Sequence, residues 1–139
     1  MPKNKISGPK IFSSHFVSER AKRHVYKGFF SVEEHDLSYR KFDGSQSQVV
    51  TRGALVSSDA VIVLPYDPES DRVLLVEQFR TGPYVKGDAN PWVLEPIAGL
   101  IDVGETPEEA GLREAKEEAC LDIKYMELVA CSYPSPGIS

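Results

Sequence analysis

Cysteine is scarce: Cys120 and Cys131 are the two in 139 residues, they form no CxxC spacing, and no histidine cluster accompanies them. That pattern argues against a zinc site, and both thiols are expected to be free and mostly buried. Long apolar runs are also missing. No stretch approaches the roughly 20 residues that a membrane span requires, and the lysine-rich residues 1–10 lack the apolar segment of a secretory signal. The expected location is therefore the cytoplasm, with no membrane partner. Positive charge is in deficit, with 16 Lys and Arg against 21 Asp and Glu and a net charge of -5. A general nucleic-acid binder needs a basic stripe to release counterions from phosphates, so nucleic acid is excluded as a partner. An anionic ligand would have to find its positive charge in a few placed side chains. There is no internal repeat and no low-complexity tract.

What is present suits one compact domain with an N-terminal extension: 41% of the residues are hydrophobic and 27% charged. The first twenty or so residues show no periodicity and read as a loose arm. Val25 and Tyr26 lead into Gly28-Phe29-Phe30, residues 36–42 carry Leu37, Tyr39 and Phe42, and Asp43-Gly44 is a hairpin signal before residues 46–52. Together these predict a small antiparallel sheet. Residues 60–65 and 72–79 are short apolar runs around a turn at 67–71, residues 92–97 form a further strand, and residues 121–131 a last one.

Between the last two strands the pattern turns helical. Thr106 is the N-cap, Pro107 the first helical residue and Glu109 the completion of a capping box, with the helix running to about Ala119. At 100° per residue, Glu114, Glu117 and Glu118 leave one side and Leu112, Ala115 and Ala119 the other. Glu114 and Glu118 are like charges at i,i+4, costing about 0.2–0.5 kcal/mol in an isolated helix. All three carboxylates also approach the C-terminal end, where the helix dipole disfavours them. A divalent cation removes that conflict, and Mg²⁺ prefers hard oxygen ligands and leaves positions for phosphates. The bland alternative is a solvated acidic face offset by Arg113 and Lys116.

The wider spacing separates these readings. Gly99, five residues, Glu105, seven residues, then Arg113-Glu114-Ala115-Lys116-Glu117-Glu118 and apolar Leu121 resemble the Nudix box. Six fixed residues would coincide by chance in about a few per million chains of this length. One position departs: Cys120 stands where the family has glycine, at the left-handed end of the helix. The resemblance implies an α+β Nudix fold, an α/β/α sandwich with a mixed sheet, preceded by the small antiparallel sheet. Residues 1–58 would form the arm and sheet for dimerisation and base binding, and residues 59–139 a catalytic domain lacking its C-terminal part. It further implies Mg²⁺, with Mn²⁺ as a substitute, held by Glu114, Glu117, Glu118 and the carbonyl of Ala98. Arg113 would orient the glutamates, and Arg113 and Glu117 are the catalytic candidates. Gly99 is where backbone must approach the metal site closely.

Outside the box, Tyr26-Lys27-Gly28-Phe29-Phe30-Ser31, Val76-Glu77-Gln78-Phe79-Arg80, Trp92-Val93-Leu94-Glu95 and Ser135-Pro136-Gly137 are similar to the bacterial ADP-ribose pyrophosphatases. That likeness places Phe29 and Arg52 on the two faces of an adenine, flanked by Phe30 and Gly53, since ring and guanidinium both stack on purines. It places Arg80 on the diphosphate as a charged fork, Leu100 beside the metal, and Ser135, Pro136 and Gly137 over the terminal ribose. Hydrolysis of ADP-ribose to AMP and ribose 5-phosphate by a homodimer is the implied activity. In the resembling enzymes the chain continues and carries the proposed general base, so the base is expected beyond Ser139 and the sequence to be incomplete. Two alternatives stand beside this one: a GDP-mannose or other nucleoside diphosphate sugar hydrolase, and a non-catalytic nucleotide-binding module.

Overall fold

A computed structural model describes residues 12–137; the expectations for residues 1–10 lie outside the described residues. The chain divides into two compact units, the first ending at Ser57 and including the segment from Ser132, the second comprising Ser58–Cys131.

The first unit is an antiparallel sheet in the order β1-β2-β3, made of β1 (Val17–Lys27), β2 (Ser31–Tyr39) and β3 (Val50–Val56). The Gly28-Phe29-Phe30 tip turns β1 into β2, with the Gly28 N–H donating to the Phe30 carbonyl at 3.0 Å. The sheet begins earlier than the loose arm allowed, because Val17 to Glu19 pair with Tyr39 to Leu37. Almost every β1 residue is exposed, so no alternation of apolar and polar marked it as a strand. The expected hairpin around Asp43-Gly44 forms as a turn with Gly44 at φ 85°. It interrupts the ladder: Asp43 accepts from the Ser45 N–H at 2.9 Å, and the Tyr39 N–H donates to the Ser47 hydroxyl at 2.9 Å. Polar pairs hold this sheet across its strands. Lys22 meets the buried Glu33 at 2.8 Å, Arg23 meets Asp36 at 2.6 and 2.9 Å, and Thr51 donates to Asp36 at 2.6 Å.

The buried apolar side chains among the described residues, Val63, Ile97, Ala110 and Ala115, all belong to the second unit. There β4 (Ala60–Val63) pairs antiparallel with β9 (Ile97–Leu100), and β7 (Val76–Phe79) with β8 (Trp92–Glu95). A small hairpin of β5 (Tyr66–Asp67) and β6 (Arg72–Val73) surrounds the expected turn. The single strand expected at 92–97 is two strands with different partners, divided at Pro96, which has no N–H to give a ladder. A short helix, α1 (Thr81–Lys86), closed by Gly87 at φ 88°, is too brief to carry a periodic pattern.

Helix α2 (Pro107–Ala119) has the expected limits and the full capping box. Its Ala115 packs with Val63 and Ile97, joined by Val61, Val76, Ala119, Leu121, Ile123 and Met126. Leu112, expected on this face, is 38% exposed; Ala110 and Gly111 take the contact. The approach is close enough that a Cβ on Gly111 would lie 2.7 Å from the Met126 methyl and 3.1 Å from Val63. The last strand expected over residues 121–131 does not form. Leu121, Ile123 and Met126 reach the core, but no ladder pairs with the segment, and every ladder among the described residues is antiparallel. Both cysteines are free and exposed, contrary to their expected burial, because Cys120 caps the helix end and Cys131 lies in that unpaired segment. The α+β class holds, and no described helix is long and apolar enough to cross a membrane.

Candidate active site

The site is built where β9 passes under α2. The capping box fixes the start of the helix: the Glu109 N–H donates to Thr106 Oγ1 at 3.2 Å, and the Thr106 N–H to Glu109 Oε2 at 2.8 Å. Two turns later Arg113 gathers four partners. Its Nε and Nη2 donate to the two Glu105 oxygens at 2.9 Å each, Nη1 to Glu114 at 2.6 Å, and Nη2 also to the Leu100 carbonyl at 3.0 Å. Glu117 lies at 3.5 Å from Nη1. This bidentate pairing holds the Glu105 carboxyl below its ordinary range and raises Arg113 further above its own.

The three helix carboxylates have different surroundings. The Glu114 side chain is 13% exposed and Glu117 61%, so the solvated-face reading suits Glu117 alone. Glu114 lies over Gly99, where a Cβ would overlap its carboxylate; glycine is required by that approach and not by its backbone angles. Glu118 reaches across to the sheets. Gln78 Nε2 donates to its Oε1 at 2.8 Å and the Ala98 N–H to its Oε2 at 3.3 Å. On β7's continuation, Arg80 donates through Nε and Nη2 to Glu95 Oε2 at 2.8 and 2.6 Å, which raises its pKa, with Glu118 adding to the effect.

The second unit thus brings together Arg80, Ala98, Leu100, Arg113, Glu114, Glu117 and Glu118. Their carboxylates suit a hard divalent cation in donor chemistry, and Gly99 leaves the space that a side chain there would fill. Among the described residues no three acidic, histidine or cysteine groups are arranged to hold an ion; the Glu114 carboxylate is paired with Arg113 and the Glu118 carboxylate with Gln78 and the Ala98 N–H. Three residues of the network escaped the sequence reading. Gln78 precedes Arg80 by two residues and so shares its face of the strand; Glu95 and Glu105 lay within the recognised segments without an assigned part.

The remaining expected residues are in the first unit. Phe29 is 85% exposed at the hairpin tip and Phe30 41%. Arg52 pairs with His35 and Gly53 with Glu34. The row of Arg52 lies four residues along β2 from Ser31, about 13 Å at strand rise, so the ring and guanidinium are not assembled as a clamp within this unit. Ser135 is half-buried, and Pro136 and Gly137 form an exposed turn. An open cavity of about 740 Å³ among Phe12, Phe16, Tyr39 and Phe42 contains none of the expected residues.

Residues 56–139 match the family model described as the NUDIX domain. The chain is 36% identical to the ADP-ribose pyrophosphatase of Haemophilus influenzae over 97% of this chain and 63% of that protein. It is 38% identical to the ADP-ribose pyrophosphatase of Escherichia coli K12, over 93% and 61% respectively. The GDP-mannose pyrophosphatase of Yersinia pestis is 31% identical over 80% of this chain and 55% of its own length. A crystal structure of an ADP compounds hydrolase superposes with a TM-score of 0.51 at 27% identity, covering 73% of this chain and 49% of that one. The chain therefore spans about three fifths of the length of the ADP-ribose pyrophosphatases it matches.

Proposed function

The chain belongs to the NUDIX domain family, and on that premise we propose that it hydrolyses ADP-ribose to AMP and ribose 5-phosphate as a magnesium-dependent pyrophosphatase. The observation that carries this reading is the meeting of α2 with β9, Glu114 lying over Gly99 and Glu118 accepting from the Ala98 N–H, beside an arginine pinned by Glu95. Glu114, Glu117, Glu118 and the Ala98 carbonyl are the groups to hold the cation. Bound there, a divalent ion supplies charge neutralisation for phosphate oxygens and acidifies water.

The chain's own residues do the rest. Arg113 is a positioning residue: paired to Glu105 and to the Leu100 carbonyl, it fixes where the Glu114 carboxylate lies. Glu95 occupies Nε and Nη2 of Arg80, so the guanidinium presents its Nη1 edge to the diphosphate and stabilises charge building on the oxygens. Water attacks one phosphorus, the bridging P–O bond breaks, and AMP and ribose 5-phosphate leave. Phe29, Phe30, Arg52 and Gly53 are assigned to the adenine, and Leu100, Ser135, Pro136 and Gly137 to the ribose side. Because the first unit does not assemble its ring and guanidinium into one clamp, the homodimer assigns the two sides of the base to different copies.

A second reading, hydrolysis of GDP-mannose, is favoured by the 31% identity to a GDP-mannose pyrophosphatase. It keeps the carboxylates and changes the base contacts. Both are tested by incubating the chain with Mg²⁺ and either ADP-ribose or GDP-mannose, with Glu118→Gln alongside. Magnesium-dependent release of AMP that Glu118→Gln abolishes supports the proposal. Faster turnover of GDP-mannose transfers the assignment to the second reading, and product that ignores both Mg²⁺ and Glu118→Gln rejects the metal-helix mechanism.

A further inference from the structure

Glu118 is a flexible side chain near the C-terminal end of a helix, where the dipole and Glu114 one turn back both repel it. Yet it does not turn to solvent. One oxygen accepts from Gln78 on β7 at 2.8 Å and the other from the Ala98 N–H on β9 at 3.3 Å. Each carboxylate oxygen accepts more than one bond, so these contacts aim the group without consuming it. We propose that Gln78 is a positioning residue for cation binding, holding the Glu118 carboxylate inward against β9 with a neutral donor that leaves its charge available to an ion; this rests on the metal-helix reading above.

The chemistry of the donor is the core of the argument. A lysine or arginine at position 78 would neutralise Glu118 and compete with the cation, whereas an amide orients the carboxylate and leaves its charge intact. The structure supplies the contrast two residues away on the same strand face. Arg80 lies near enough to Glu118 to be influenced by its charge, but its guanidinium is drawn to Glu95 at 2.6 and 2.8 Å instead. The neutral donor thus faces the ligand carboxylate, and the cationic one is diverted to a carboxylate outside the ligand set.

The test is Mn²⁺ titration of the full chain, read by calorimetry or by the spin signal of free Mn²⁺, with metal-free melting curves for each protein. Gln78→Met keeps the volume and removes the donor; Gln78→Asn keeps the amide but withdraws it by one methylene. Each is expected to weaken Mn²⁺ binding by about tenfold to a hundredfold, with the metal-free melting temperature unmoved. Glu118→Gln is the reference for the reading beneath. If Glu118→Gln loses Mn²⁺ while both Gln78 variants bind like the parent, the inference is wrong and the metal helix stands. The inference is equally overturned if the Gln78 variants melt earlier and retain the parent's affinity once folded, for that is a packing role. If Glu118→Gln binds like the parent, the metal-helix reading and this inference fall together.

Discussion

A missing methyl group at Gly99 lets the Glu114 carboxylate lie directly over β9. Gly99→Ala would place a Cβ in that space, and the group it meets is the movable end of a side chain rather than backbone. The expected consequence is selective: Glu114 swings away, Mn²⁺ affinity falls by about tenfold or more, and the melting temperature changes little, as calorimetric titration and a thermal scan would record. Glu105 offers a second test, through pH. Arg113 holds its folded pKa below the ordinary 4.5, so its contribution to stability is present above that value and lost as pH falls through the lowered one. Glu105→Gln should therefore be less stable than the parent at neutral pH, and urea midpoints of the two should converge as pH falls through the lowered pKa of Glu105. A gap that stays constant with pH would show that the Glu105 charge contributes nothing.

At the scale of elements, α2 was readable because each signal acts locally. Thr106, Pro107 and Glu109 specify its start through bonds within one turn, and it ends at Ala119 with a left-handed C-cap. The residue after it, Cys120, takes φ 55°, the left-handed geometry that glycine adopts without strain. Cys120→Gly is expected to stabilise the chain by about 1 kcal/mol or somewhat less, since relief of the Cβ contact is offset by greater freedom of the unfolded chain. Thr106→Ala should cost about 0.5–2 kcal/mol through the lost cap. Chemical denaturation checks both, and a destabilised Cys120→Gly would mean that the thiol makes a contact worth more than the strain. Strands were less legible, for reasons that are not local. Residues 121–131 read as a strand, and Leu121, Ile123 and Met126 do reach the core, but a strand also needs a partner ladder, which the run itself cannot announce. Conversely, β1 has its partner and almost no buried face, so its pattern carried no signal. The carboxylate triplet and Arg113 were legible from spacing on one helix, whereas Gln78 joined the network only through its bond to Glu118 across from the sheet, and Glu95 only through the pairing of β7 with β8 that sets it beside Arg80.

At the scale of the whole molecule, the distribution of buried surface matters most. Among the described residues the apolar core is confined to the second unit, while the first is a sheet joined by ion pairs and hydrogen bonds whose Val25, Tyr26, Phe29 and Val56 are exposed. Such a sheet gains little from the hydrophobic term that stabilises most domains, which supports assigning it to contact between two copies. Sedimentation of the full chain should then give a dimer, and a monomer at all concentrations would remove that assignment. The second unit carries a different instability. It concentrates Glu105, Glu114 and Glu117 around Arg113, with Glu114 and Glu118 repelling on the same helix. A cation that binds only the folded arrangement must then stabilise the molecule as a whole, by about 2.7 kcal/mol when present at a hundred times its dissociation constant. Adding Mg²⁺ or Mn²⁺ should raise the melting temperature, excess EDTA should restore the metal-free value, and Glu118→Gln should respond weakly to either. Because the repulsion is relieved in that variant without metal, its metal-free melting temperature is expected to equal or exceed the parent's. A parent chain whose melting temperature ignores divalent cations would place the acidic helix among surface features and leave the hydrolase reading without its centre.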